Sequence, residues 1–109
     1  MLFNRSKKTI ISKDVRAAHS LFEKSKGLLF EKKPQTIIFK TRYGIHTFGM
    51  KFTIDVIILS KSMIVTQLKK SLKPNSVFFW NPLSPYVIEL EEGTIEKLHI
   101  QIGDQLEVR

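Results

Sequence analysis

Apolar and polar residues alternate through residues 46–58, HTFGMKFTIDVII. His46, Phe48, Met50, Phe52, Ile54, Val56 and Ile58 occupy one set of positions; Thr47, Gly49, Lys51, Thr53, Asp55 and Ile57 occupy the other. A period of two is the mark of a strand with one buried face. The stretch is long for a single strand, and Gly49 in its interior predicts a bulge or bend that reverses the faces beyond it. From Asp55 onward the run is apolar on both faces, so a carboxylate entering it must be hydrogen-bonded, neutral or at a rim.

The same reading predicts further strands over residues 36–40 (TIIFK), 63–68 (MIVTQL, a hairpin with the strand before it), 77–80 (VFFW), 86–90 (YVIEL) and 105–108 (QLEV). Residues 41–44, 73–76 (KPNS), 81–85 (NPLSP) and 91–93 carry turn chemistry. One helix is predicted over residues 12–27. Ser12 stands at its N-cap, Val15, Ala18 and Phe22 recur at helical spacing, and Gly27 takes the left-handed position past its end. Thr94 is predicted to cap a short helical turn through Leu98. Gly93 and Gly103 suit turns that need positive φ, and Asp104 beside Gly103 suits a turn that accepts backbone bonds. The fold class expected is mainly β: a small sandwich or barrel with one helix in the N-terminal half and a short helical turn near the C-terminus.

Composition narrows the possibilities. At 109 residues the chain is expected to form one domain over residues 1–109, with residues 1–12 a loosely held basic segment. It contains no cysteine, which excludes disulfides, thiolate metal sites and a cysteine nucleophile. The first residues lack the apolar run of a secretory signal and nothing is long enough to span a membrane, so a soluble, cytoplasmic protein is expected. Residues 1–80 hold 16 Lys/Arg against 4 Asp/Glu, and residues 81–109 hold 2 against 6. A basic body suits an anionic partner, although the lysines form no dense run.

Candidate chemistry centres on the opening stretch. His46 is a possible general base or ligand, with Asp55 to orient it and Glu89, an unusual carboxylate inside YVIEL, as a third catalytic candidate. In a straight strand, however, His46 and Asp55 face opposite ways. The plainer reading makes Asp55 an acceptor for backbone N–H groups, donated by residues 49–53 or by a neighbouring loop. His46, Phe48, Met50, Lys51 and Asp55 are the ligand-binding candidates. A metal site is not expected, because a thioether and a carboxylate make a mismatched pair and no second histidine is near. No nucleotide, dinucleotide or hydrolase motif is present, and no cofactor is expected. Phe78, Phe79 and Trp80 in a row place at least one ring outward.

Three segments, SKGLLF (residues 25–30), GIHTFGMKFTIDVIIL (44–59) and VIELEEGTIEKLHIQIGDQLEV (87–108), resemble DUF192, a family of small bacterial and archaeal proteins. The resemblance implies a single mostly-β domain of sandwich or barrel type with a short helix, and no established reaction. The family's recurrent positions fall on Gly27, His46, Phe48, Met50, Asp55, Glu89, Gly93, Gly103 and Asp104. Thr53 stands where the family usually carries proline, and Leu29 where it often carries methionine. Many relatives also carry an export signal, and none is expected here.

These readings lead to three functional expectations. The first is a non-enzymatic binding module for an anionic small ligand or a partner protein, floored by Phe48, Met50 and Asp55. The second is a hydrolase- or isomerase-type enzyme using His46 and Asp55. The third, ranked below both, is weak nucleic-acid binding through lysines and the aromatics of residues 78–80.

Overall fold

The computed structural model of the chain describes residues 1–17, 35–41, 44–48, 50–80 and 82–109. In chain order its elements are β1 (Leu2–Asn4), β2 (Thr9–Ser12), β3 (Val15–Ala17), β4 (Thr36–Lys40), β5 (Gly44–His46), β6 (Ile54–Leu59), β7 (Val65–Leu72), β8 (Val77–Phe79), β9 (Tyr86–Glu91), the short helix α1 (Thr94–Lys97) and β10 (Leu106–Val108).

The most apolar segments take the centre. β6 reads IDVIIL and β9 reads YVIELE; both are rich in β-branched and aliphatic residues, and all six residues of β6 are buried. They pair antiparallel from Ile54↔Glu91 to Leu59↔Tyr86. The sheet around them runs β3-β4-β9-β6-β7, with β3 parallel to β4 and every other pair antiparallel. At one edge, β7 presents exposed Thr66, Lys69 and Lys70, a composition that discourages further pairing.

Strands buried on both faces need cover on both sides, and two separate cores result. On one face, Ile37, Phe39, Val56, Ile58 and Val87 pack beneath the two-stranded β5–β8 ribbon, which contributes Ile45, with Met50 and Trp80 beside it. On the other, Ile57, Leu59, Ile88 and Leu90 pack against Leu2, Leu106, Ile95 and Ile100, from the β10-β1-β2 sheet and the α1 region. The expected sandwich or barrel is therefore not found: among the described residues there are three sheets and no closure. Layering on both faces of a doubly apolar sheet satisfies the burial that closure would otherwise supply.

The predicted helix over residues 12–27 is also corrected where it can be seen. Ser12 ends β2, and Val15–Ala17 form β3, paired with Thr36, Ile37 and Ile38. Pairing with β4 takes up the backbone groups that a helix would have bonded internally, overriding a helical periodicity of only a few residues. The remainder of that prediction, with Ala18, Phe22 and Gly27, lies outside the described residues. At the C-terminal end a helical turn does form, but Thr94 is not its cap. Gly93 occupies that position with φ 91°, and the Thr94 hydroxyl donates to the Glu91 carbonyl at 2.7 Å.

Residues 1–12 contribute β1 and β2 to the three-stranded sheet. β1 is paired on both sides, and Leu2 is fully buried. A polar clasp fixes this segment to the C-terminal turn. Buried Asp104 accepts from Asn4 Nδ2 at 2.9 Å and the Gln101 N–H at 3.0 Å, and its second oxygen accepts from Lys7 Nζ at 2.9 Å. Burial alone would raise the Asp104 pKa; the bonds from Asn4, Gln101 and Lys7 outweigh it and hold the carboxyl below the ordinary aspartate range. A depressed folded-state pKa adds stability above the unfolded value of about 4, and that stability is lost as pH falls through the folded value. Asp104→Asn is therefore expected to be less stable than wild type at neutral pH, by about 2 kcal/mol. The difference should shrink below about pH 4. Urea midpoints of both proteins across pH 2–7 measure this, and a pH-independent difference would contradict the clasp.

Candidate functional site

Asp55 is 1% exposed and points to the face of the central sheet that carries α1. Its carboxylate accepts from three backbone N–H groups: Ser71 at 3.0 Å on one oxygen, Gly93 at 3.1 Å and Ile95 at 3.0 Å on the other. Ser71 sits where the β6–β7 register slips, with φ 55°, so Asp55 satisfies a bulge and the entry to α1 together. Among the described residues the donors come from neighbouring elements, Ser71, Gly93 and Ile95. A carboxylate so engaged is an anchor of the fold.

Glu89 is equally buried but lies on the opposite face of the sheet. It sits in register with Val56 on one side and Ile37 on the other. Asp55 and Glu89 therefore do not converge, although their strands are adjacent.

His46 belongs to the ribbon. Ile45 before it points into the core; His46 lies on the outer side, opposite exposed Val77. Its ring stacks on Phe48 with centroids 4.9 Å apart and planes at 24°, and its Nδ1 accepts the Phe48 N–H at 3.4 Å. The ribbon and the whole thickness of the central sheet separate it from Asp55. Of the five ligand-binding candidates, the structure places His46 and Phe48 together and leaves Lys51 exposed just beyond them. Met50 and Asp55 lie in two different cores.

The outer face of the ribbon brings together Phe48 and Phe79, both candidates from the sequence, with Val77, which the sequence did not single out. Phe79 is 66% exposed, Phe48 54% and Val77 52%, and they share this face with His46. Phe79 pairs with Gly44, and its ring occupies the space a side chain at residue 44 would need: a Cβ built there would lie 2.7 Å from Phe79 Cδ1 and 2.4 Å from the Phe78 carbonyl oxygen. Trp80, by contrast, is buried and donates its indole N–H to the Ser84 carbonyl at 2.8 Å, and Phe78 packs against the core. The pattern VFFW does predict an outward ring, since alternate residues face alternate ways; which ring it is depends on the pairing with β5.

Fully buried Thr47 makes this face rigid. Its hydroxyl donates to the Lys73 carbonyl at 2.6 Å and accepts the Ser76 N–H at 2.9 Å. Its own N–H donates to the Ser76 carbonyl, while its carbonyl accepts from Met50 and Asn75. The backbone of exposed Lys73 is thereby bonded to Thr47, next to Phe48, and exposed Lys51 directly follows Met50, whose N–H donates to the Thr47 carbonyl. Residues 40–80 carry seven Lys/Arg against a single acid, and that acid is the internally bonded Asp55.

A cleft of about 730 Å³ opens elsewhere, between the β2–β3 connection and the start of α1. Its charged lining residues, Lys13, Asp14, Arg16 and Glu91, are of both signs and all exposed. Among the described residues there is no cluster of three or more His, Asp or Glu placed to hold a metal, and no helix is long and apolar enough to cross a membrane.

Comparison with known proteins agrees with this architecture. Residues 2–108 match the family model DUF192, described as an uncharacterised ACR. A UPF0127 protein of Pyrococcus furiosus is 32% identical over 97% of the chain and 96% of its own length. A UPF0127 protein of Thermococcus sibiricus is 31% identical over 98% of the chain and 73% of its own length. A crystal structure of a protein of unknown function from Novosphingobium aromaticivorans superposes with a TM-score of 0.75 at 19% identity, over 86% of this chain and 74% of that one, a likeness of fold.

Proposed function

The chain belongs to the DUF192 family, whose description carries no activity, and we propose from its geometry that it is a non-enzymatic binding module working through the outer face of the β5–β8 ribbon. The observation that carries this reading is the exposed pair Phe48 and Phe79, held on a rigid support beside Lys51 and Lys73. Exposed rings that contribute little to either core are retained at a cost in solubility, and they mark contact surfaces. The surrounding charge selects an anionic partner. The face is the outside of a ribbon and encloses no cavity, so it suits an extended partner better than a small molecule, which calls for a concave site.

The hydrolase or isomerase alternative requires His46 and Asp55 in one cleft. The three N–H bonds that engage Asp55 on the far side of the central sheet from His46 support the binding reading over this one.

The reading is tested by titrating the ¹⁵N-labelled protein at low salt with three anionic probes: polyphosphate, a glutamate-rich peptide and a mixed-sequence single-stranded oligonucleotide. Amide shifts are expected to cluster at residues 44–48, 51 and 73–79. Shifts concentrated around Asp14, Arg16 and Glu91, or none with any probe, would overturn it.

A further inference from the structure

Resting on that reading of the ribbon face, we infer that its partner is single-stranded nucleic acid, with bases stacked on Phe79 and Phe48 and the backbone phosphates at Lys51 and Lys73. Four features point this way. First, the Phe79 ring lies across Gly44, in the space a side chain there would take, so the ring is supported from below while two-thirds of the residue stays exposed. A supported ring with an open face is a stacking platform, and any base has a π-face to offer it. Second, Phe48 is backed by the His46 imidazole at 4.9 Å, which makes a second platform. Third, the Gly44–Phe79 pair and the next pair on this face, His46–Val77, are two residues apart, about 7 Å along a strand. The two platforms thus lie in a row along the ribbon, which suits successive unpaired bases. Bases within a duplex present no free π-face, so the partner is single-stranded. Fourth, the cations stand at the Phe48 end, and no exposed acid occurs within residues 40–80 to repel a phosphate.

An acidic protein segment would satisfy the charge as well. It fits the face less well, because the exposed residues described on this face are two rings and a single aliphatic residue, Val77, beside the half-buried His46 imidazole. A protein partner's apolar side chains would be met by little aliphatic surface.

The experiment is fluorescence anisotropy at low salt with labelled single-stranded DNA and RNA dodecamers, an abasic strand of equal length, and a glutamate-rich peptide containing phenylalanine. Both dodecamers are expected to bind better than the abasic strand. Phe79→Ala and Phe48→Ala should each weaken binding by about tenfold, the loss of one stacked base, while Phe79→Trp retains it. Ile102→Ala, an exposed apolar control on the C-terminal turn, should change nothing. With two phosphates neutralised, log affinity should fall with log salt at a slope of about −1.4. Phe79 is an exposed side chain, so its truncation leaves the fold intact, which the amide spectrum checks. Equal binding of the abasic strand, or indifference to both phenylalanine substitutions, overturns the inference. Binding of the peptide without the dodecamers also overturns it, yet leaves the ribbon as the working surface; failure of every probe overturns both.

Discussion

Asp55→Asn is expected to lower stability by about 2–3 kcal/mol. The carboxylate accepts three backbone N–H bonds with no bulk water to replace them. An amide keeps one acceptor and turns its other group into a donor. Wherever the amide is oriented, at least one of the Ser71, Gly93 and Ile95 N–H groups then faces a donor. A buried donor without an acceptor costs its full desolvation, and the bonds that remain lose the strengthening that charge gives. At this chain length the melting temperature should fall by roughly 10 °C. Thermal or urea unfolding at neutral pH measures it. A variant as stable as wild type, or more so, would mean that Asp55 is held under strain for another purpose, as functional groups often are.

Gly44→Ala is expected to cost about 2 kcal/mol, of the order that local backbone strain imposes. The new Cβ would meet the Phe78 carbonyl oxygen at 2.4 Å, and backbone cannot yield as a side-chain tip can. It would also displace the Phe79 ring, whose Cδ1 lies 2.7 Å from the same point. Two readouts follow from one substitution. The urea midpoint should fall, and the Phe79 ring signals should shift towards those of a freely moving side chain. An unchanged midpoint would show that the β5–β8 pairing can open without cost to the rest of the fold.

The two residues differ in how far the sequence revealed them. Asp55 at the head of a continuous apolar run announced a need for hydrogen-bond donors. It did not announce which donors, because these lie 16, 38 and 40 residues away and are brought in by β7 and the approach to α1. Gly44 was legible only as part of a turn. That it must be glycine follows from the ring of Phe79, which reaches it across a strand pairing. His46 and Phe48 were candidates from their setting, and the structure does bring them into contact. Met50 was read with them and is instead in the core, since the chain turns after Thr47 and the alternation of residues 46–58 is divided between β5 and β6.

By itself, the sequence determined strands at residues 36–40 and 86–90, the strand character of the apolar end of the 46–58 alternation, the turns carrying proline, asparagine and glycine, and the helical turn after Gly93. Each follows from a local period or a local backbone preference, which neighbouring residues alone express. Only the tertiary structure decided that Val15–Ala17 extend beside β4, that the central sheet is covered on both faces without closing, and that His46 and Asp55 stand on opposite sides of it. It also decided that Phe79, and not Trp80, meets solvent. Each of these depends on which distant segment supplies the partner: alternation assigns residues to two faces, but the phase of that alternation is set by pairing and burial across the fold.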